Sequence, residues 1–114
     1  MGVVKRPAVV TGEIWLANLD PTVGSEIQKT RPCVVISPPE LHDHLRTVIV
    51  APMTTGAQPA GFRIALTFQG KSGLVLLDQV RALDKQRLAK RVGAVEPATL
   101  HAVLTTLQAV FAPA

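Results

Sequence analysis

"GEIWLANLDPTVGSEIQKTRPCVVIS", residues 12–37, reads as a strand, a turn-rich loop and a second strand. From Glu13 to Leu19 the chain alternates in part. Ile14, Leu16 and Asn18 point one way and Glu13, Trp15 and Ala17 the other, the two-residue period of a strand. The loop from Asp20 to Thr30 holds Gly24 and Ser25, which turn tightly. Pro32 then opens the apolar run "PCVVIS" and restricts Arg31 to extended backbone. An always-charged planar fork of donors therefore leaves the lip of a buried strand in few directions, and such a fork suits a phosphate.

The same alternation continues outward. "RTVIVAPM" (residues 46–53) is a third strand. "FRIALTF" sets Phe62, Ile64, Leu66 and Phe68 against Arg63, Ala65 and Thr67. "GLVLLDQVRAL" (73–83) is expected as one strand entered through the turn "QGKSG", and "VGAV" (92–95) adds a brief one. The period then changes. Leu100, Val103, Leu104, Leu107, Val110 and Phe111 have helical spacing, which predicts an amphipathic helix over residues 97–112. Pro97 suits its first turn and Pro113 lies past its end. The helix's second face, Ala102, Thr105, Thr106 and Ala109, is small and uncharged, a surface suited to a homodimer. The expectation is one domain over residues 1–114, with an N-terminal arm over 1–11. It is mainly β with one C-terminal helix, an antiparallel barrel or curled sheet closed by that helix.

The chain has 114 residues, of which 47% are hydrophobic, enough for a real core. Twelve Lys and Arg oppose eight Asp and Glu, a formal charge of +4 that favours an anionic partner. The one cysteine, Cys33, sits among valines and reads as a small buried hydrophobe. The start lacks the apolar stretch of a signal peptide and no run approaches membrane-spanning length, so the expectation is a soluble cytoplasmic protein. His42, Asp43 and His44 ("LHDHL", in a Pro-flanked loop) with His101 and Cys33 show no metal-ligand spacing, so neither metal nor cofactor is expected. Lys85, Arg87, Lys90 and Arg91 read as a solvated basic run.

Polar residues gather at three places. Glu26, Lys29 and Arg31 lie on the first loop. Thr54 and Thr55 emerge from the end of the "TVIVA" strand. Asp78, Gln79 and Arg81 interrupt an apolar run, where Gln79 can meet the edge of a base. Ser25, Lys29, Thr55 and Gln79 are candidate substrate contacts. Trp15 is either core or a base-stacking surface.

These pieces, "GEIWLANLDPTVGSEIQKTRPCVVIS", "VIVAPMTT" and "LVLLDQVRALDKQRL", followed by "VGAV" and the terminal helix, resemble the MazF/PemK toxins over residues 12–111. The resemblance implies an SH3-like antiparallel β-barrel with a C-terminal helix, a homodimer, and a metal-independent endoribonuclease toxin. Single-stranded RNA such as mRNA would be cut independently of the ribosome, and a cognate antitoxin with a disordered acidic tail would neutralise the toxin. It also implies a catalytic arginine and threonine, which fall on Arg31 and Thr54, with Thr55 the neighbouring choice. The family's loop glutamate falls on Glu26 and the glutamine of its "DQ" element on Gln79. In the implied reaction the 2′-hydroxyl attacks the adjacent phosphorus, leaving a 2′,3′-cyclic phosphate and a 5′-hydroxyl. Arg31 stabilises the charge that develops and Thr54 holds a phosphoryl oxygen. The general base is open, with Glu26 a candidate. The alternative is a non-catalytic toxin of the same fold that acts on DNA gyrase, as CcdB does. Such a toxin uses a tryptophan near its C-terminus, where this chain has "QAVFAPA".

Overall fold

A computed structural model of the chain describes residues 8–114. The arm expected over 1–11 therefore lies, up to residue 7, outside the described residues. The described elements in chain order are β1 (Glu13–Asn18), β2 (Thr30–Val35), a short helix α1 (Pro39–His42), β3 (Thr47–Thr54), β4 (Arg63–Phe68), β5 (Lys71–Leu76), β6 (Arg81–Asp84), β7 (Leu88–Ala94) and α2 (Pro97–Val110). The seven strands form one curled sheet in the order β4-β5-β3-β2-β1-β7, with β6 also paired to β3, and every pairing is antiparallel. The curl puts apolar residues on both faces. One buried cluster holds Trp15, Ala17, Leu19, Cys33, Val35, Val48, Val50 and Leu83. The other holds Ile14, Val34, Ala51, Met53, Val75 and Val103.

Prolines decide where β3 finds partners. Cys33 stands opposite Pro52 and Val34 opposite Ala51. Pro52 has no N–H, so Cys33 and Pro52 form a non-hydrogen-bonded pair and the next bonded pair would need the N–H of Pro32. Pro32 has none either. The β2–β3 ladder stops there and the strands part. On its other side β3 pairs with β6 from Thr47 to Val50 and with β5 at Met53 and Thr54. Between these two stretches the missing amide of Pro52 leaves a gap, and the partner chain steps out as a turn of 3-10 helix, Leu77–Gln79.

That turn corrects the sequence reading of residues 73–83 as one strand. The apolar pattern runs through because both halves flank β3, but Asp78 and Gln79 leave the sheet. Other elements also differ from expectation. Val92–Ala94 of "VGAV" end a longer β7 that begins at Leu88, and Val95 lies past it. The turn at "QGKSG" narrows to Gln69–Gly70, both with positive φ (52° and 76°), the twist that a two-residue hairpin requires. Residues 39–42 of the Pro-flanked loop wind into α1, and His42 is buried with Nδ1 2.8 Å from Ser37 Oγ. Lys85 is not solvated. It is 7% exposed, and its ammonium donates to the His42 carbonyl, which satisfies the buried charge. On α2 only Val103 is fully buried, whereas Leu104, Val110 and Phe111 are exposed.

Gly93 of β7 lets the curl close without a ladder. A Cβ there would lie 3.1 Å from the Phe68 ring at the end of β4, the opposite edge of the sheet. No helix among the described residues is long and apolar enough to cross a membrane.

Ile14 is 1% exposed and ties β1 to the second cluster. Ile14→Ala should lower unfolding free energy by about 3 kcal/mol in urea titrations. Val23→Ala, at a residue 81% exposed, should change it by no more than about 0.5 kcal/mol.

Candidate active site

Where β2 and β3 part, the chain leaves an open cleft of about 240 Å³. Arg31, Thr54 and Thr55 line it from the strand ends, and Gln69 and Lys71 from the β4–β5 hairpin. Phe68, Leu66 and Met53 supply apolar floor. Among the described residues no carboxylate lines it. Continuing the β2–β3 register from Cys33 and Pro52 brings Arg31 level with Thr54.

Each side chain is partly held and partly free. Arg31 is half-buried, and its Nε donates to the Gln28 carbonyl at 3.0 Å. Among the described residues its two terminal nitrogens have no partner, so two donors remain for an anion. Thr54 Oγ1 accepts from the Gly56 amide at 3.2 Å, which leaves its hydroxyl hydrogen to donate outward. Thr55 is exposed, and no hydrogen bond to its hydroxyl is seen among the described residues. Gly73 of β5 holds this corner tight, since a Cβ there would come within 3.0 Å of the Thr54 carbonyl oxygen.

Ser25, Glu26 and Gln79 meet elsewhere, in a second cleft of about 490 Å³ that Asp78 and Arg81 also line. Glu26 turns back on its own loop, with Oε1 accepting from the Val23 amide at 2.6 Å. Gln79 spans 52 residues of sequence to accept from the Ile27 amide at 2.7 Å, so its carbonyl is engaged and its amide NH2 is left for other contacts. Arg81 donates to the Leu19 carbonyl and Arg87 to the Asn18 and Asp20 carbonyls. These bonds clamp the loop ahead of β2, and so place Arg31. Lys29 is exposed with φ 71°, a left-handed conformation steadied by its amide donating to Asp20 Oδ1 at 3.1 Å.

Trp15 joins neither cleft. It is 9% exposed, packs in the first buried cluster and donates from Nε1 to Glu13 at 3.3 Å, so a base-stacking role does not fit it.

Burial pushes the Cys33 thiol up to about 12, despite the nearby Arg81 charge, so it is no nucleophile. Arg63 forks Asp78, Nε to Oδ1 at 3.2 Å and Nη2 to Oδ2 at 2.9 Å. That fork holds the Asp78 carboxyl below its ordinary value. The pair's small contribution to stability is complete above the ordinary carboxylate range and is lost as pH falls through the lowered value. Two residues that the sequence reading passed over, Gln69 and Lys71, stand in the first cleft. Their signal was faint because only the hairpin's two-residue turn brings them back toward β3.

Comparison with known proteins gives a consistent picture. A family model described as "PemK-like, MazF-like toxin of type II toxin-antitoxin system" matches residues 5–111. The chain is 39% identical over 105 residues to the endoribonuclease PemK of Escherichia coli, covering 87% of this chain and 79% of that protein. It is 38% identical over 114 residues to the endoribonuclease toxin ChpB of Escherichia coli strain K12, covering 94% and 97%. The crystal structure of MazF from Deinococcus radiodurans superposes with a TM-score of 0.80 at 27% identity, covering 96% of this chain and 99% of that one.

Gln79→Ala should release the loop while the strands stay paired. Native-state hydrogen exchange should then speed up at the Ile27 amide and stay slow at Val34 and Val50. An unchanged Ile27 rate would show that the clamp is not what orders the loop.

Proposed function

Because this chain belongs to the PemK-like, MazF-like toxin family of type II toxin–antitoxin systems, we propose that its RNA cleavage takes place at the open end of the β2–β3 ladder, through Arg31 and Thr54. The protein is an RNA-cleaving toxin. The observation that carries the assignment is the cleft itself: a tethered arginine and an oriented threonine hydroxyl come level in a carboxylate-free mouth.

The substrate is single-stranded RNA, whose backbone bends far enough for a 2′-oxygen to line up behind its own phosphorus. The 2′-oxygen forms a bond to phosphorus as the bond to the 5′-oxygen breaks. The 2′-hydroxyl proton leaves, and the 5′-oxygen takes one up. The products are a 2′,3′-cyclic phosphate and a 5′-hydroxyl. Negative charge grows on the phosphoryl oxygens during the attack, and the two free guanidinium nitrogens of Arg31 bind that charge most strongly in the transition state. The Thr54 hydroxyl, fixed by Gly56, donates to a phosphoryl oxygen. Thr55 is a contact on the cleft rim. The substrate supplies the nucleophile, so the mechanism needs no metal, and EDTA should leave cleavage unchanged.

Glu26 serves its loop in the second cleft, so the base that takes the 2′-proton is not assigned to it. Ser25 and the free amide of Gln79 are proposed to meet bases flanking the cut, with Lys29 contributing charge at the rim. The relatives' names favour this reading over a gyrase-directed toxin of the same fold.

We further propose a homodimer in which a second copy covers the outer side of α2, where Leu104, Val110 and Phe111 are exposed. A cognate antitoxin with an acidic tail suits the carboxylate-free cleft, and the cytoplasm is where RNA and antitoxin meet.

Arg31→Ala should slow cleavage of a long single-stranded RNA by about a hundred-fold or more while the melting temperature holds. Thr54→Ala should cost more activity than Thr55→Ala. Near wild-type cleavage by Arg31→Ala would sink the site assignment, and the reverse order of the threonines would move the role to Thr55. Leu104→Glu should shift sedimentation from dimer toward monomer at micromolar concentration.

A further inference from the structure

The β4–β5 hairpin carries a cation to the same cleft from the side opposite Arg31. Lys71 is the first residue of β5, paired across the turn with Phe68. Its place is fixed by rigid features rather than by a mobile loop. Gln69 and Gly70 both hold positive φ, and every residue from Lys71 to Leu76 is laddered to β4. Beside the turn of the hairpin the Phe68 ring lies against Gly93 of β7. Lys71 is exposed, and among the described residues it makes no ion pair. Two cations on one cleft with no carboxylate among the described lining residues give it a positive potential that draws an anionic chain. The phosphate held by Arg31 and Thr54 is one anion of that chain, but Lys71 stands on the far wall.

We propose that Lys71 binds a second backbone phosphate of the RNA, the one flanking the scissile phosphate, so that the hairpin is the outer wall of a two-phosphate track. The inference rests on the RNA-cleaving reading of this cleft. A flanking phosphate carries the same charge in the ground and transition states. Lys71 is therefore a binding residue that acts on KM and leaves kcat nearly untouched. Met53 of β3, the strand between β5 and β2, and Phe68 and Leu66 of β4 give the same cleft the apolar surface on which the nucleoside joining the two phosphates would rest.

The test measures binding of a short single-stranded 2′-O-methyl oligonucleotide, which cannot be cut, as a function of salt, together with cleavage kinetics on ordinary RNA. Loss of one phosphate contact should reduce the magnitude of the log–log salt slope by about 0.7. Lys71→Gln should show that drop and raise KM by roughly ten-fold with kcat within about two-fold. Lys71→Arg should restore both. Lys90→Gln, at an exposed lysine of β7 outside the cleft, should leave the slope as in wild type. An unchanged slope in Lys71→Gln overturns the proposal. So does a fall in kcat at unchanged KM, which would put Lys71 on the scissile phosphate whatever the slope. An equal drop in Lys90→Gln would also overturn it, because the charge effect would then be diffuse. The binding arm decides this question without cleavage. A wild-type protein that bound the oligonucleotide but left RNA intact would instead defeat the RNA-cleaving reading.

Discussion

Everything at this site follows from one missing hydrogen. Pro32 has no amide proton, so β2 cannot continue its ladder with β3 past Cys33 and Pro52. Had it continued, Arg31 and Thr54 would sit in the middle of a paired sheet, with their backbone and neighbours filling the space a substrate needs. The strands part instead, and the same ring that stops the ladder holds Arg31, the second residue of β2, extended. Pro52 does the complementary work on the other side of β3. It leaves the gap through which Asp78 and Gln79 step out of the sheet, and from there Gln79 reaches the loop that leads back to Arg31. Two prolines on neighbouring strands thus open the mouth and anchor the arm that reaches into it.

Much of this was legible from residue type. Alternation marked the strands, helical spacing marked α2, and the "RP" step marked Arg31 as a constrained cation. Legibility ended where tertiary pairing overrides local pattern. Residues 73–83 look continuous because both halves of the run are apolar against β3, and nothing local reports that Pro52 lacks a hydrogen opposite them. Lys85 reads as a surface charge, yet the His42 carbonyl, presented by a short helix from another part of the chain, makes its burial tolerable. α2 reads as amphipathic, but the curled sheet reaches only as far as Val103 and the half-buried residues beside it, leaving Leu104, Val110 and Phe111 outside.

The candidate site divided in the same way. Period and proline mark the strand ends where Arg31 and Thr54 stand, and the family resemblance is what proposes them as a pair. Glu26 belongs to a different cleft because its carboxylate closes its own turn through the Val23 amide, an interaction that any Glu three residues beyond a turn can make. Trp15 went to the core for the ordinary reason that a large ring buries apolar area. Lys71 was invisible because a turn of two residues, one of them a glutamine forced to positive φ, is what returns it to the cleft.

The proposed cleavage turns on the substrate's own 2′-hydroxyl as nucleophile, attacking a phosphate held by Arg31 and Thr54. The direct measurement uses an RNA in which the single nucleotide 5′ to the mapped cut is 2′-deoxy, incubated with the wild-type protein. This bond should stay intact while the substituted RNA competes for binding nearly as well as the parent. Cleavage at that same bond, yielding a linear 3′- or 5′-phosphate, would make water the nucleophile and contradict that mechanism.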